Sequence, residues 1–213
     1  YYAMMAKIPM FEPSNSQEAK DMTIAAIKLS EEFDTPVMIR TTTRISHSEG
    51  IVALGERESA PEREFVRDMG KYCVLPHNAR RLHVKVEERQ KKIAEFGCKS
   101  SFNRLEEGDK KIGIISSGIS YCHAREIFPD ASFLKLGLTY PFPVELIKKF
   151  AASVEKLIVI EENDPFLETA VRALGIACIG KDRLPVCGEL NPDIIHESLP
   201  ELVNRPMPVK TRP

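Results

Sequence analysis

Two adjacent glutamates, Glu161 and Glu162, are the first candidates for chemistry, because they directly follow the apolar run of residues 157–160. Paired carboxylates can perform general acid–base catalysis when both face one substrate. Successive residues of a strand, however, point to opposite faces of the sheet. At most one of the two glutamates is therefore expected to reach a crevice, and they are not expected to act as a pair.

The residues that follow are predicted to begin a helix. Asp164 and Pro165 are in the order typical of an N-cap and a first helical position. Glu168 and Arg172 are then spaced to pair on the exposed side of that helix, which Gly175 would end. For the acidic group of Glu161, Glu162 and Asp164, we favour a contact with a neighbouring domain over a ligand site.

A second group combines two arginines with several hydroxyl side chains. Its members are Arg40, Thr41, Thr42, Thr43, Arg44, Ser46 and His47. Arginine supplies a charged fork and threonine a directed donor, so the group could hold a carboxylate or a phosphate. It could equally be the polar end of a strand that pairs with another domain, and the sequence leaves both interpretations open.

Two further loops carry polar residues. Ser116, Ser117 and Gly118 precede a predicted helix, where backbone amides can face a phosphate. A dinucleotide fingerprint needs three glycines and a Walker motif needs a lysine, so a turn with a serine cap is favoured here. Tyr140 lies in TYPFP, whose prolines predict a rigid loop at an interface edge without an acid, base or nucleophile.

Histidine and cysteine spacings give no sign of a metal site. The five residues of each type are scattered, without HxH, HExxH or CxxC patterns. We expect reduced, mostly core cysteines. No catalytic and no metal-binding residue is assigned.

The composition argues against polyanionic partners. Lys and Arg number 30 and Asp and Glu 31 in 213 residues, so no overall field would attract nucleic acid or an anionic membrane. No apolar run approaches the roughly 20 residues that a membrane helix needs. A cytoplasmic protein without nucleic-acid or membrane partners is expected.

The elements that must position these residues follow an alternating pattern. Apolar runs at residues 112–115, 133–138, 157–160 and 176–179 predict strands, and helices are predicted between them at 121–128, 143–154 and 165–174. This alternation predicts an α/β fold with a parallel sheet flanked by helices. Ligands and partners collect at the carboxyl ends of such strands.

The N-terminal half is predicted to contain less regular structure. A helical stripe includes Met22, Ala26 and Leu29, with a cap from Ser14 and Gln17 or from Ser16 alone. Residues 37–45 are predicted to form a strand. A connector without periodicity covers residues 46–70, and a long charged helix is predicted from residue 76 to about residue 97.

Six ordered segments carry a family resemblance. They read AKIPMFEPSNSQEAKDM, LSEEFDTPVMIRTTTRISHS, SSGISY, LKLGLTYPFP, EENDPFLE and GKDRLPVCGELNP. Together they resemble the alpha subunit of indolepyruvate:ferredoxin oxidoreductases, a family of thiamine-diphosphate-dependent 2-oxoacid oxidoreductases. The resemblance covers nearly the whole chain and is weakest between residues 50 and 70.

The resemblance implies four regions in an internal fragment of a longer subunit. Residues 1–48 would be the C-terminal tail of a pyrimidine-binding thiamine domain, and residues 49–104 a connector with the long helix. Residues 105–190 would form a domain like the C-terminal domain of transketolase. Residues 191–213 would be an extended linker toward a missing cofactor domain.

The implied reaction of the parent is the oxidative decarboxylation of an aryl pyruvate to acyl-CoA, with electrons passing to ferredoxin. It would need thiamine diphosphate, magnesium, 4Fe-4S clusters and coenzyme A as co-substrate. The fragment itself is expected to bind no cofactor and to be catalytically silent. Its partners would be the remaining domains of the subunit, the beta subunit and, through the parent, ferredoxin. The alternative is a stand-alone α/β module that binds a phosphorylated or carboxylate ligand.

Overall fold

The centre of the chain forms a four-stranded, mainly parallel sheet. The computed structural model describes residues 1–57 and 64–203. In spatial order, the strands of this sheet are β3 (Arg104–Glu106), β5 (Ala131–Leu136), β4 (Asp109–Ser117) and β7 (Lys156–Ile160). Strand β4 runs parallel to β5 and β7, whereas β3 is antiparallel to β5.

Helices cover both faces of this sheet. They are α6 (Gly118–Ile127) and α9 (Pro192–Ser198) on one face, and α7 (Val144–Ala151) and α8 (Phe166–Ala173) on the other. Neighbouring residues of β4 serve the two faces in turn: Ile114 belongs to the first hydrophobic cluster and Ile115 to the second. The predicted α/β fold with a parallel sheet flanked by helices is confirmed.

Two of the predicted strands differ from expectation. Residues 176–179 contribute only one bridge, between Ile179 and Ile158. The run 133–138 is divided at Gly137, after which β6 (Leu138–Tyr140) joins a different sheet. A Cβ atom on Gly137 would lie 2.6 Å from the carbonyl oxygen of Phe102, so only glycine fits at this crossing.

The N-terminal part of the chain builds a second, three-stranded sheet. Its elements are α1 (Tyr2–Ala6), β1 (Met10–Phe11), α2 (Ser16–Phe33), β2 (Met38–Ile39) and α3 (Thr43–His47). Strand β1 is the middle strand, parallel to β2 and antiparallel to β6. Because β6 follows β5 after one residue, the two sheets share a continuous run of chain.

The predicted N-terminal helix is present as α2, but its cap is a different residue. Asn15 accepts a hydrogen bond from the Glu18 amide at 2.8 Å, so the expected caps, Ser14 with Gln17 or Ser16 alone, are wrong. Ser14 instead donates from its amide and its hydroxyl to the Glu18 carboxylate, at 2.8 and 2.7 Å.

The strand predicted for residues 37–45 is largely wrong. Only Met38 and Ile39 pair, because β1 offers two residues for pairing. The chain beyond them has no neighbouring strand and turns into the short helix α3, which buries Ile45.

The long helix of the connector is confirmed as α5 (Pro76–Lys99), preceded by α4 (Met69–Tyr72). Its C-terminal half is fixed to the N-terminal part. Arg89 donates to the carbonyl of Asp34 at 2.8 Å, Gln90 donates to the carbonyl of Lys7, and Ile93 is fully buried.

The extended conformation predicted for residues 191–213 is wrong for residues 192–198. These residues form α9, which Asn191 caps by accepting a hydrogen bond from the Ile194 amide at 2.9 Å. Its Ile195 is fully buried against the central sheet. Residues 204–213 of the predicted linker lie outside the described residues.

The cysteines are free thiols at or near the surface. Cys187 is exposed and the other four are partly exposed, so the expectation of mostly core positions is wrong. None of the helices in the described ranges combines the length and the apolarity needed to cross a membrane.

A buried ion pair joins α2 to the central sheet. Lys135, on β5, has no exposed surface, and its ammonium donates to the Glu18 carboxylate at 2.6 Å. Arg104, on β3, donates to the other oxygen of Glu18 at 2.8 Å. Burial opposes ionisation of Glu18, but the charge and hydrogen bonds of Lys135, together with those of Ser14, lower its pKa to about 2. Burial also lowers the pKa of Lys135, and Glu18 is the group that favours its charged form.

This pair generates a stability prediction. Lys135→Met leaves the Glu18 carboxylate buried without its nearest cation, and Glu18→Gln leaves the Lys135 ammonium unpaired. Each change is expected to lower the free energy of unfolding by about 3–5 kcal/mol. The double variant should lose clearly less than the sum, because it removes both charges. Urea unfolding of the four proteins measures these differences.

Glu32→Gln on the exposed side of α2 and Lys156→Met at the exposed start of β7 are the matched controls. Both should stay within about 0.5 kcal/mol of the unmodified chain. Additive losses in the double variant would contradict a direct Glu18–Lys135 interaction.

Candidate functional site

The carboxyl ends of β4 and β7 open into a cleft between the central sheet and the N-terminal part. Its volume is about 630 Å³. Its walls come from the turn between β4 and α6, the turn between β7 and α8, the N-terminal residues, the strands β1 and β2, and the loop of residues 186–188. The cleft therefore lies where ligands collect in open parallel sheets.

Glu12 joins two of the predicted groups. It is 5% exposed, it accepts a hydrogen bond from the Ser117 hydroxyl at 2.6 Å, and it accepts one from Arg40 at 3.0 Å. Sequence reasoning missed this residue. The only available signal was an acid directly after the apolar pair Met10 and Phe11.

The turn formed by Ser116, Ser117 and Gly118, called the serine turn below, also has structural roles. Ser116 is fully buried, and its hydroxyl donates to the carbonyl of Ile160 on β7 at 2.7 Å. Gly118 has a φ of 53°, a left-handed conformation that favours glycine at the start of α6. The predicted serine cap is wrong: Ser117 is the N-cap residue of α6 by position, but its hydroxyl is directed to Glu12 and makes no cap hydrogen bond.

Both arginines of the second group are paired with carboxylates. Arg40 binds Glu12, and Arg44 makes a two-pronged contact with Glu189, of which the bond from Nη2 to Oε2 is 2.8 Å. Thr41 accepts a hydrogen bond from the Ser46 hydroxyl at 2.9 Å, while the buried Thr42 hydroxyl has no hydrogen-bond partner among the described residues.

Thr43 begins α3 and His47 ends it, and both are exposed. Every member of the second group except Ser46 lines a hollow of about 760 Å³ beside the cleft, and Arg40 and Thr42 line both the hollow and the cleft. The structure thus brings the second group and the serine turn together at one edge of the sheet.

Tyr140 lies apart from this edge. Its ring packs edge-to-face on Phe142 at 5.8 Å, and it is not part of the cleft wall. Burial raises its pKa, and the charges of Lys7 and Glu87 act on it from the N-terminal part and α5.

Glu161 caps helix α8. Its carboxylate accepts hydrogen bonds from the amides of Phe166, Leu167 and Glu168, at 3.1, 2.8 and 2.9 Å. The predicted N-cap, Asp164, is wrong, since the helix begins one residue later than expected, with Pro165 at the N-cap position. A distant side chain therefore satisfies amides that a local cap would satisfy in most helices.

Glu162 and Asp164 also line the cleft, as does Glu161. The expectation that at most one of Glu161 and Glu162 reaches a crevice is therefore wrong. Strand β7 ends at Ile160, so the alternation of strand residues no longer applies to the two glutamates.

The predicted pair of Glu168 and Arg172 is present at 2.8 Å, although Glu168 is buried and not on an exposed side. Its carboxylate also accepts a hydrogen bond from the Lys181 amide at 2.7 Å. Gly175, with a φ of 76°, follows the helix as expected.

The electrostatics of this edge are set by buried carboxylates. Burial raises the pKa of Glu161 to about 7, against the lowering effect of the α8 amides and of Lys181. Burial likewise raises the pKa of Glu162 and lowers that of Lys181. Within residues 1–57 and 64–203, no three His, Cys, Asp or Glu side chains are grouped to hold a metal ion.

Comparisons with known proteins give consistent relatives. No family model matches the chain. It is 40% identical over 186 residues to the indolepyruvate oxidoreductase subunit IorA of Archaeoglobus fulgidus, covering 83% of this chain and 29% of that protein. It is 34% identical over 221 residues to IorA of Methanothermobacter thermautotrophicus, covering 97% of this chain and 36% of that protein. The chain thus spans about a third of the length of these relatives.

A solved structure shares the fold. The 2-oxoglutarate:ferredoxin oxidoreductase from Magnetococcus marinus superimposes with a TM-score of 0.64 at 18% sequence identity, covering 91% of this chain and 42% of that one. At this identity the likeness supports the fold alone.

The Glu161 cap generates a pH prediction. A carboxyl whose pKa is higher in the folded protein than in the unfolded chain binds its proton more tightly when folded. Its contribution to stability is therefore present at low pH and is lost as the pH rises from 4.5, the ordinary value, toward about 7. Glu161→Gln cannot ionise, so relative to the unmodified chain it should gain up to about 3 kcal/mol between about pH 4 and about pH 8.

Urea unfolding at both pH values measures this change. Glu155→Gln, at the exposed opposite edge of the sheet, should follow the pH curve of the unmodified chain. Parallel curves for Glu161→Gln and the unmodified chain would show that Glu161 ionises with an ordinary pKa.

Proposed function

Because the chain belongs to the family of indolepyruvate oxidoreductase IorA subunits, we propose that it is the part of such a subunit that supports neighbouring cofactor domains. In this proposal it carries no catalytic residue and binds no cofactor by itself. Its partners are the remaining domains of the subunit and a beta subunit, with ferredoxin as the acceptor that the whole enzyme serves.

The reaction proposed for the whole enzyme is the oxidative decarboxylation of an aryl pyruvate to acyl-CoA, in the cytoplasm. Thiamine diphosphate, when bound with magnesium, would supply the electron sink for the loss of CO2. The 4Fe-4S clusters would pass electrons to ferredoxin, and coenzyme A would take the acyl group.

The junction at Glu12 is the observation that supports a structural role. Ser117 of the serine turn and Arg40 both donate hydrogen bonds to this one buried carboxylate, which belongs to the N-terminal part. Residues that could have held a substrate or a phosphate therefore hold two parts of the chain together. A support for cofactor domains needs such fixed geometry, because the protein contributes mainly positioning in cofactor chemistry.

The residues of the cleft do not fit the diphosphate of thiamine diphosphate. The side chains of Glu12, Glu161, Glu162 and Asp164 line it, and Arg40 is the only basic side chain among its described lining residues. A diphosphate would face uncompensated negative charge there. We therefore assign no step of the reaction to this cleft.

The stand-alone alternative, a module for a phosphorylated or carboxylate ligand, finds less support. It requires the forks of Arg40 and Arg44 to be available, and each is already paired with a carboxylate of the chain. An anionic ligand would have to displace Glu12 or Glu189.

A titration of the purified chain with thiamine diphosphate and magnesium tests whether it binds the cofactor. No saturable heat change is expected up to millimolar cofactor, because the acidic cleft does not accept a diphosphate. A transketolase titrated in the same buffer is the positive control. Binding in the micromolar range would contradict the proposal that this chain binds no cofactor by itself.

The Glu12→Ala variant tests the junction. It leaves Ser117 and Arg40 without their common acceptor, so the N-terminal part should open more often. Amide exchange in β1 and the first turn of α2 is expected to accelerate at least about tenfold, the equivalent of about 1.4 kcal/mol.

Glu32→Gln on α2 is the matched control for Glu12→Ala, and it should leave those exchange rates unchanged. Unchanged exchange in Glu12→Ala would show that the two parts do not depend on this carboxylate.

A further inference from the structure

The cleft at the carboxyl edge of the central sheet has the size of a small-molecule site. Its volume of about 630 Å³ lies within the range of roughly 300–1,000 Å³ that such sites occupy. Part of its wall is aromatic: Tyr1 and Phe166 pack edge-to-face with ring centroids 5.4 Å apart, and Tyr2 lies beside them. Ile119 and Leu167 extend this apolar surface.

The charged side chains of the wall are four carboxylates and one guanidinium, that of Arg40. Arg40 is already paired with Glu12, and both carboxylate oxygens of Glu161 accept hydrogen bonds from the amides of α8. Glu162 and Asp164 remain without a salt bridge to a described residue, although the Leu190 amide and the charges of Arg40 and Lys181 act on Glu162. Because Glu162 is half-buried, its field is screened less than it would be on an open surface.

Two hydroxyl groups in the wall lack partners. The Thr42 hydroxyl is buried and has no hydrogen-bond partner among the described residues. Ser120 is 3% exposed, lines the cleft from the first turn of α6, and makes no hydrogen bond through its side chain within the part of the chain described. Buried polar groups are normally satisfied, so the unsatisfied Thr42 hydroxyl points to a polar ligand, for which the Ser120 hydroxyl is a second hydrogen-bonding group.

We propose that this cleft binds an organic cation, an ammonium or guanidinium group carried on an apolar body. The cationic group lies against Glu162 and Asp164, in the cleft that Thr42 and Ser120 also line, and the apolar body lies against Phe166 and the two tyrosines. Aromatic faces attract cations, and carboxylates attract them more strongly, so both parts of the wall favour the same ligand class.

The titration of Glu162 would respond to this ligand. Burial raises the pKa of Glu162, and the nearby Glu189 charge adds to that effect. A bound cation would reverse this shift by favouring the ionised carboxylate. The site does not rest on the proposed function, since it needs only the residues of this chain.

The test uses two probes of similar shape and opposite charge, phenethylammonium and phenylacetate. Thermal unfolding of the whole chain is followed as each probe is added. Phenethylammonium is expected to raise the midpoint in a saturable way, because a ligand that binds only the folded state stabilises it. Phenylacetate should not raise it. High salt should weaken the effect of the cation.

Two variants locate the site. Glu162→Gln and Asp164→Asn should each weaken phenethylammonium binding about tenfold, the equivalent of about 1.4 kcal/mol. Glu155→Gln at the opposite edge of the sheet is the matched control and should bind like the unmodified chain. The unfolding midpoint of each variant without probe shows that it is folded.

A capped Gly-Arg-Gly peptide separates two sources of the cation. Tighter binding of the peptide than of phenethylammonium would assign the site to an arginine side chain of a polypeptide, and the reverse would assign it to a free amine. Both outcomes support a cation site. Equal effects of the two oppositely charged probes, or unchanged binding in both cleft variants, would overturn it.

Discussion

The ammonium of Lys135 imposes the main constraint on this structure. It sits on the second strand of the central sheet without any exposed surface, and a charge in that position costs several kcal/mol unless it is paired. Glu18 pairs with it from the N-terminal helix, while Arg104 and Ser14 complete the surroundings of the carboxylate. The central sheet therefore requires the N-terminal helix, and the position of that helix sets the position of Glu12 and of the cleft.

The acidic residues show how structural and chemical roles divide within one short stretch. Glu161 caps the start of α8, where its two carboxylate oxygens accept hydrogen bonds from three amides. Glu162 is left at the cleft, where burial raises its pKa. The two glutamates are adjacent and chemically alike but have different roles. Strand β7 ends at Ile160, so the regular geometry of a strand no longer fixes where the two side chains lie.

The predictions from sequence succeeded where short apolar runs carried the information. The runs around Ile114, Phe133 and Val159 alternate between the two faces of the sheet, and this regularity is local in sequence. The failures are of another kind. Residues 37–45 have the composition of a strand but no partner to pair with beyond Ile39, and pairing is a property of the whole fold.

The candidate site was predictable only in part, for the same reason. The serine turn and the arginine group were found from residue types, and the structure brings them together. Their common acceptor, Glu12, is 105 residues from Ser117, so no local pattern could connect them. The helix start after Pro165 was assigned to Asp164 because caps are normally local, whereas Glu161 reaches it from the end of the strand.

The division of one apolar run at Gly137 has a consequence for how this fold can be rearranged. The residue before the glycine belongs to the central sheet and the residue after it to the N-terminal sheet. One of the two strands that flank β1 is therefore β6, which follows the long helix α5 in the sequence. Loss of residues 1–48 would remove β1 and β2 and leave β6 with an open strand edge, which other chains can pair with. An exchange that moves both sheets together keeps β1 beside the β6 with which it evolved.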